Sequence, residues 1–268
     1  MALSQAHPVA RGGDGGGTGS LDKGIHLLRL VAEKPDDGWH LRELAAAGGM
    51  DEPEARRMLD CLLASRMVRQ RSDACRYMPG PLMFELGLAL PDSARFQRRA
   101  EAVLRAVADG RGAIALLVLR SGNDFVCSIR EGRAALPPLA SAPGTRAPLF
   151  LSAGGVAILQ RLPAGEARAI LAENTAREVA RRGTGRLAAL ERMREVSLRC
   201  GFGVNAGDVV PGVHSVGMAL RDARGQPFAA VCLVGTAASL PLERIDPLRS
   251  ELEHVAALLS GEARQFHM

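Results

Sequence analysis

The chain has 268 residues and a formal net charge of +5, and at roughly 100 to 200 residues per domain it makes one large or two modest domains. Hydrophobic residues at 47% and charged residues at 24% sit close to the globular average, which excludes wholesale disorder, collagen and long coiled coils. No stretch approaches the ~20 uninterrupted apolar residues that span a bilayer, and the opening MALSQAHPVARGGDGGGTGS lacks the apolar centre of a signal peptide, so a cytoplasmic protein with no membrane partner is expected.

Aromatic residues are only 3%, which argues against single-strand or RNA modules built on stacked rings and leaves duplex binding open. Cys61, Cys75, Cys127, Cys200 and Cys232 are odd in number and widely spaced, so neither a disulfide framework nor a zinc knuckle is signalled. Reduced thiols, no metal and no cofactor are expected.

The first nineteen residues hold six glycines and no apolar periodicity, the composition of a flexible tail. From Ser20, a plausible N-cap, Leu21, Ile25, Leu28 and Ala32 repeat at helical spacing until Pro35 stops the pattern. A second helix runs from about Leu41 to Ala47 and ends at Gly48 and Gly49. A third is marked by Asp51 as cap, Glu54 placed to reach back and Pro53 in the first turn. Ala55, Met58, Leu59, Leu62 and Leu63 form its apolar stripe, with Arg56, Arg57 and Asp60 opposite. Val68 to Arg71 and Arg76 to Met78 read as strands around the turn Ser72, Asp73, Ala74.

Charge follows the same order. Residues 20–55 carry four basic against eight acidic groups, whereas residues 56–76 carry six arginines against two acids. Such an asymmetry suits one-sided contact with a polyanion, and it also suits a solvated face. Three helices and a basic hairpin make a winged helix-turn-helix, whose third helix enters the major groove.

Beyond it, Leu82 to Leu90 read as a short apolar linker helix and dimer contact. An amphipathic helix through Phe96, Ala100, Val103, Leu104 and Val107 leads to strands at Ala113 to Arg120 and Phe125 to Arg130. Helical segments near Ser152 to Arg161 and Arg186 to Arg199 follow, then strands near Val213 to Leu220 and Phe228 to Val234, and a last helix from about Glu243 to Leu259. The fold class is α+β, with a mostly antiparallel sheet flanked by helices and no internal repeat.

In order, SLDKGIHLLRLVAE, LRELAAAGGM, ARRMLDCLLASRMVRQ, RYMPGPLMFELG, GTRAPLFLSAGGVAIL, GFGVNAGDVVPGVHSVGMALRD and GQPFAAVCLVG together resemble the isocitrate lyase regulator (IclR) family of bacterial transcription factors, over nearly all of residues 20–260. The resemblance implies a tail (1–19), a winged helix-turn-helix (20–80), a linker helix (81–93) and a GAF-like α/β effector-binding domain (94–268). It also implies a homodimer or homotetramer with two kinds of partner, double-stranded promoter DNA and a small organic effector.

Carried over by position, the resemblance puts Lys23, Arg56 and Arg57 on DNA and Arg69 and Arg71 on the wing. The start of the third helix departs from the family: Asp51, Glu52 and Glu54 stand where basic and small hydroxyl residues are usual. Facing phosphates they would oppose binding, since a carboxylate is accommodated on DNA mainly by the cytosine amino group. Either a C-rich step is read, or affinity is low and depends on multimers and effector state; a ligand sensor with weakened or lost DNA binding is the alternative reading.

The effector positions implied by the resemblance are Leu136, Leu139, Ala147, Ala153, Gly154, Asn205, Val213, Ser215, Cys232 and Val234. Asn205, Cys232 and Val234 stand where relatives that sense small keto acids present a carboxylate and two serines, which removes hydroxyl donors for an anionic ligand, so an apolar or aromatic effector oriented by Asn205 and Ser215 is expected. The other reading is a packed core with a vestigial pocket. An enzyme would need Cys200 or Cys232 as nucleophile and His214 as base, but no acid is signalled to orient the imidazole, so catalysis is not expected. Neither is a metal held by His214 with His254 or the cysteines, and Gly154 with Gly155 is a weak phosphate signal that a close turn explains equally.

Overall fold

The computed structural model describes residues 18–71, 75–134, 136 and 141–265. Leu139, the turn Ser72 to Ala74 and all but the last two residues of the expected tail therefore lie outside the described residues. The chain divides into two compact units between Leu88 and Ala89.

In the first unit, α1 (Thr18–Glu33) begins before Ser20, so that serine is inside the helix and does not cap it. Helix α2 (Leu41–Gly48) ends on Gly49, whose φ of 64° is the left-handed turn that glycine accepts without strain. Helix α3 (Glu52–Ala64) starts as expected at Asp51, whose carboxylate accepts from the Glu54 backbone N–H at 2.7 Å. The reciprocal bond of a capping box is absent, because the Glu54 side chain turns to Lys23.

Strands β1 (Val68–Arg71) and β2 (Arg76–Pro79) pair antiparallel, and Trp39 bridges to Tyr77 on the free side of β2. Leu27, Leu30 and Val31 of α1, Leu44 of α2, Leu59 of α3, and Val68 and Tyr77 close a single small core. Helix α4 (Pro81–Gly87) is shorter than the expected 82–90, and Met83, Phe84 and Leu86 on it are exposed, as is Leu88 just beyond.

The second unit opens with α5 (Pro91–Arg111), then β3 (Ile114–Ser121) and β4 (Asp124–Glu131). After β5 (Arg146–Pro148) and a 3₁₀ turn (Leu149–Leu151) come three helices, α6 (Ala153–Leu159), α7 (Ala164–Arg182) and α8 (Leu187–Cys200). Strands β6 (Gly203–Ala206), β7 (His214–Arg221) and β8 (Pro227–Gly235) precede the final helix α9 (Ile245–Gln265). The six strands form one antiparallel sheet in the order β5-β4-β3-β8-β7-β6.

Alternation along the strands gives the sheet two apolar faces. Ala115, Leu117, Val216, Val231 and Leu233 face α5 and α9, meeting Phe96, Leu104, Leu252 and Leu259. Ile114, Leu116, Val118, Cys232 and Val234 face the other way, under Val156, Ile158, Ile170, Leu190 and Met193. This helix-sheet-helix arrangement is the expected α+β architecture, with α7, β5 and β6 added to the expected elements.

Candidate nucleic-acid interface and sensor site

Helix α3 carries five charged residues, and the structure separates them by what they touch. Glu54 lies 2.6 Å from the Lys23 ammonium on α1. Glu52 lies 3.8 Å from the Arg42 guanidinium on α2, a loose pair because the Arg42 side chain is 90% exposed. Asp51, just ahead of the helix, is the cap. The acidic start thus caps the helix through Asp51 and attaches it to α1 through Glu54, while Glu52 stays half exposed in loose contact with Arg42.

Arg56, Arg57 and Asp60 are exposed, and none has an ion-pair partner among the described residues. They lie away from Ala55 and Leu59, the two buried side chains of the helix. Arg56 and Asp60 both act on the Tyr77 hydroxyl of β2, which burial pushes up, the arginine opposing the rise and the aspartate adding to it. The open face of α3 is therefore bordered by the wing.

On the wing, Arg69 and Arg71 share one face of β1 and are exposed. Arg69 Nε also donates to the Pro79 carbonyl at 3.3 Å. The other arginines nearby have structural duties: Arg66 holds Glu85 of α4 at 2.6 Å, and Arg76 donates to the Asp37 and Gly38 carbonyls at 3.3 Å. Lys23, expected on DNA, is engaged by Glu54.

In the second unit, register brings four of the expected effector residues to one end of one sheet face. Asn205, Ser215 and Val234 are direct neighbours across β6, β7 and β8, and Cys232 lies in the next row opposite Gly217. Ala153 and Gly154 open α6 directly over that second row. A Cβ on Gly203 would stand 1.9 Å from the Ala153 carbonyl oxygen, one on Gly217 2.8 Å from Gly154, and one on Gly154 2.3 Å from the Cys232 sulfur. The helix start is flush with the sheet there. Gly154 serves this close contact, whereas a Cβ on Gly155 would stand 1.9 Å from the Leu149 carbonyl oxygen of the preceding 3₁₀ turn, so close packing on the sheet and on that turn accounts for the glycine pair.

Beside the first row Val213 is buried, and Leu136 and Ala147 are half-buried against the same apolar cluster, Ala147 on β5 at the opposite edge of the sheet beside Phe125. The Asn205 carboxamide is committed to the loop beside it: Oδ1 accepts from the Val209 N–H at 3.3 Å and Nδ2 donates to the Val213 carbonyl at 3.4 Å. Ser215 makes no side-chain hydrogen bond among the described residues. An apolar surface with one uncommitted hydroxyl suits an apolar ligand carrying a single polar group.

The chemistry of the thiols is unfavourable to catalysis. Burial pushes Cys232 up to about 12 and Cys127 up to about 11, so both stay protonated at neutral pH and are poor nucleophiles. His214 alternates with Ser215 and points to the opposite sheet face from Cys232. Its Nδ1 lies 2.9 Å from the Leu240 carbonyl. Among the described residues, no group of three or more His, Cys, Asp or Glu could hold a metal ion, and no helix is long and apolar enough to cross a membrane.

Comparison with known proteins places both units. The family model described as the bacterial transcriptional regulator IclR C-terminal domain matches residues 92–261, and that of the IclR helix-turn-helix domain matches residues 20–72. The HTH-type transcriptional regulator KipR of Bacillus subtilis is 23% identical over 241 residues, covering 89% of this chain and 94% of KipR. A putative IclR transcriptional regulator from Silicibacter sp. superposes with a TM-score of 0.75 at 19% identity, covering 91% of this chain and 96% of the other. An IclR homolog from Microbacterium hydrocarbonoxydans, solved in complex with 4-hydroxybenzoate, gives 0.65 at 15% identity, covering 91% and 98%.

Proposed function

The chain belongs to the IclR family of bacterial transcriptional regulators, which are not enzymes, and from that premise we propose that it binds promoter DNA as a homodimer or homotetramer under the control of a small apolar or aromatic effector. The observation that carries the proposal is the free arginine pair Arg56 and Arg57 on the open face of a capped, rigidly packed α3. Arg69 and Arg71 extend the basic surface along the wing, where they meet phosphates.

The sensor site is proposed to take its ligand over Ser215, Val234, Val213, Leu136 and Ala147, with Ala153, Gly154 and Cys232 as the closed wall and Leu139 as a further contact expected from the resemblance. Ser215 supplies the orienting hydrogen bond, and Asn205 shapes the loop that rims the site. An aromatic ligand is supported by the 4-hydroxybenzoate held by the relative of the same fold. The exposed Met83, Phe84, Leu86 and Leu88 on and after α4 support its role as a contact with a second copy. Effector control requires that the ligand prefer one arrangement of the DNA-binding heads, with α4 as the coupling element. A cytoplasmic location accords with this role.

The test is fluorescence anisotropy of labelled duplex from upstream of the protein's own gene, at two salt concentrations beside a scrambled duplex. Selective binding that weakens steeply with salt, as neutralising roughly six to ten phosphates requires, supports the regulator. Aromatic and apolar metabolites are then screened for release, with Ser215→Ala expected to weaken the response. Equal, salt-insensitive binding to both duplexes would sink the proposal.

A further inference from the structure

On α3 the acids divide into those the protein uses itself and one that it leaves free. Asp51 caps the helix, Glu54 holds Lys23 and Glu52 faces Arg42. Asp60 is exposed on the open face and lies three and four residues after Arg57 and Arg56. These spacings allow helix-surface ion pairs, yet Asp60 makes none. The base-before-acid order is the weaker orientation for such pairs, so the three side chains remain available to an outside partner.

A free carboxylate one turn beyond two arginines opposes phosphates, and on DNA it has one favourable partner, the N4 amino group of cytosine in the major groove. Arginine takes guanine O6 and N7 on the same groove floor. Four residues of helix advance about 6 Å, close to two base-pair steps of about 3.4 Å. We infer that Asp60 is a specificity-determining residue that reads a cytosine about two base pairs from a guanine read by Arg56. The inference deepens the proposed promoter-DNA binding and rests on it.

The order of charges along the helix therefore describes the chemistry of the half-site. It is a short G·C-rich element in which one pair is read through guanine and another through cytosine. Substituting asparagine at position 60 exchanges a pure acceptor for a donor-acceptor pair, which matches adenine N6 and N7. Charge removal alone would strengthen binding to every sequence alike, whereas base reading changes which letter is preferred.

The experiment is selection from a randomised duplex pool by the full-length wild type, Asp60→Asn, Asp60→Ala, Arg56→Ala and Glu52→Gln. The wild type is expected to enrich a motif with guanine and cytosine at fixed separation, and a cytosine mismatch to weaken binding about tenfold. Asp60→Asn should move that one position from cytosine toward adenine, Asp60→Ala should leave it unselective, and Arg56→Ala should relax a guanine position. If the wild type enriches a motif that Asp60→Asn leaves unchanged, or if Glu52→Gln moves the cytosine position in its place, the inference is overturned while promoter binding stands. If the wild type enriches nothing even at low salt, the promoter-DNA reading falls and this inference with it.

Discussion

The Lys23 ammonium lies 2.6 Å from the Glu54 carboxylate and joins α1 to the first turn of α3. With side chains 48% and 25% exposed, the pair is screened and contributes no more than about 1 kcal/mol to stability. Its larger effect is on binding, because a lysine held by a carboxylate is not free to displace counterions. Glu54→Gln should leave the fold intact and release Lys23 to a phosphate. The salt dependence of DNA affinity should then steepen by about 0.9 in log-log slope. Anisotropy titrations across a salt series measure this, and an unchanged slope would mean that Lys23 does not reach the duplex.

Asp51 acts before any partner arrives. Its carboxylate satisfies the Glu54 N–H at the helix start, where four backbone donors otherwise lack partners. Asp51→Ala should destabilise the first unit by about 1 kcal/mol, and Asp51→Asn, which keeps an acceptor oxygen, by much less. Trp39, the chain's one tryptophan, packs against that unit's core, so its fluorescence during urea unfolding reports this unit. Equal midpoints for wild type and the alanine variant would show that the cap carries no weight.

The capped start of α3 was legible because caps, proline and glycine are local signals that survive without tertiary context. Helix α7 was not. Its core-facing side runs through Ile170, Asn174 and Glu178, and two polar residues on the buried stripe erase the apolar period that sequence reading depends on. Their burial is satisfied outside the helix: Asn174 accepts from the Phe150 N–H and donates to the Asn123 carbonyl, far away in sequence, and Glu178 takes Arg186, just beyond the end of α7, at 3.2 Å. The sensor positions follow the same rule. Ser215 and Asn205 could be placed by resemblance, but that Asn205 serves its own loop and that Gly203, Gly217 and Gly154 mark contact with α6 depends on register, which no local pattern carries. The strand β6 (Gly203–Ala206) was missed because three of its four residues, glycine, asparagine and alanine, are poor strand formers.

Those glycines make a direct prediction about packing. Gly217→Ala places a methyl group 2.8 Å from the Gly154 backbone, where neither strand nor helix can yield cheaply. Overpacking of this kind costs about 1–3 kcal/mol and should lift α6 from the sheet, weakening any ligand that rests against it. Gly165→Ala, in the exposed first turn of α7 with open space around its Cα, should instead be neutral or stabilise by up to about 1 kcal/mol. Differential scanning calorimetry of the two variants distinguishes them. Similar melting temperatures for both would show that α6 is not seated on β7 as described.

The buried thiols set a pH dependence whose sign follows from their environment. Burial raises Cys232 from 9.0 to about 12 and Cys127 from 9.0 to about 11. Between those values the unfolded chain releases thiol protons that the folded chain retains, so the unfolded state binds fewer protons and stability falls as pH rises. The contribution is complete below pH 9 and is lost progressively toward 11 and 12. Cys232→Val, which keeps an apolar side chain beneath Gly154 and removes the titration, should flatten the alkaline limb of a stability-against-pH curve even if it shifts the whole curve by repacking. Iodoacetamide at mildly alkaline pH should label the exposed Cys61 and Cys75 and spare Cys127 and Cys232 until urea opens the second unit. Rapid labelling of Cys232 in the native protein would show that the α6 face opens readily, and an alkaline limb as steep in the valine variant as in the wild type would show that Cys232 makes no contribution beside that of Cys127.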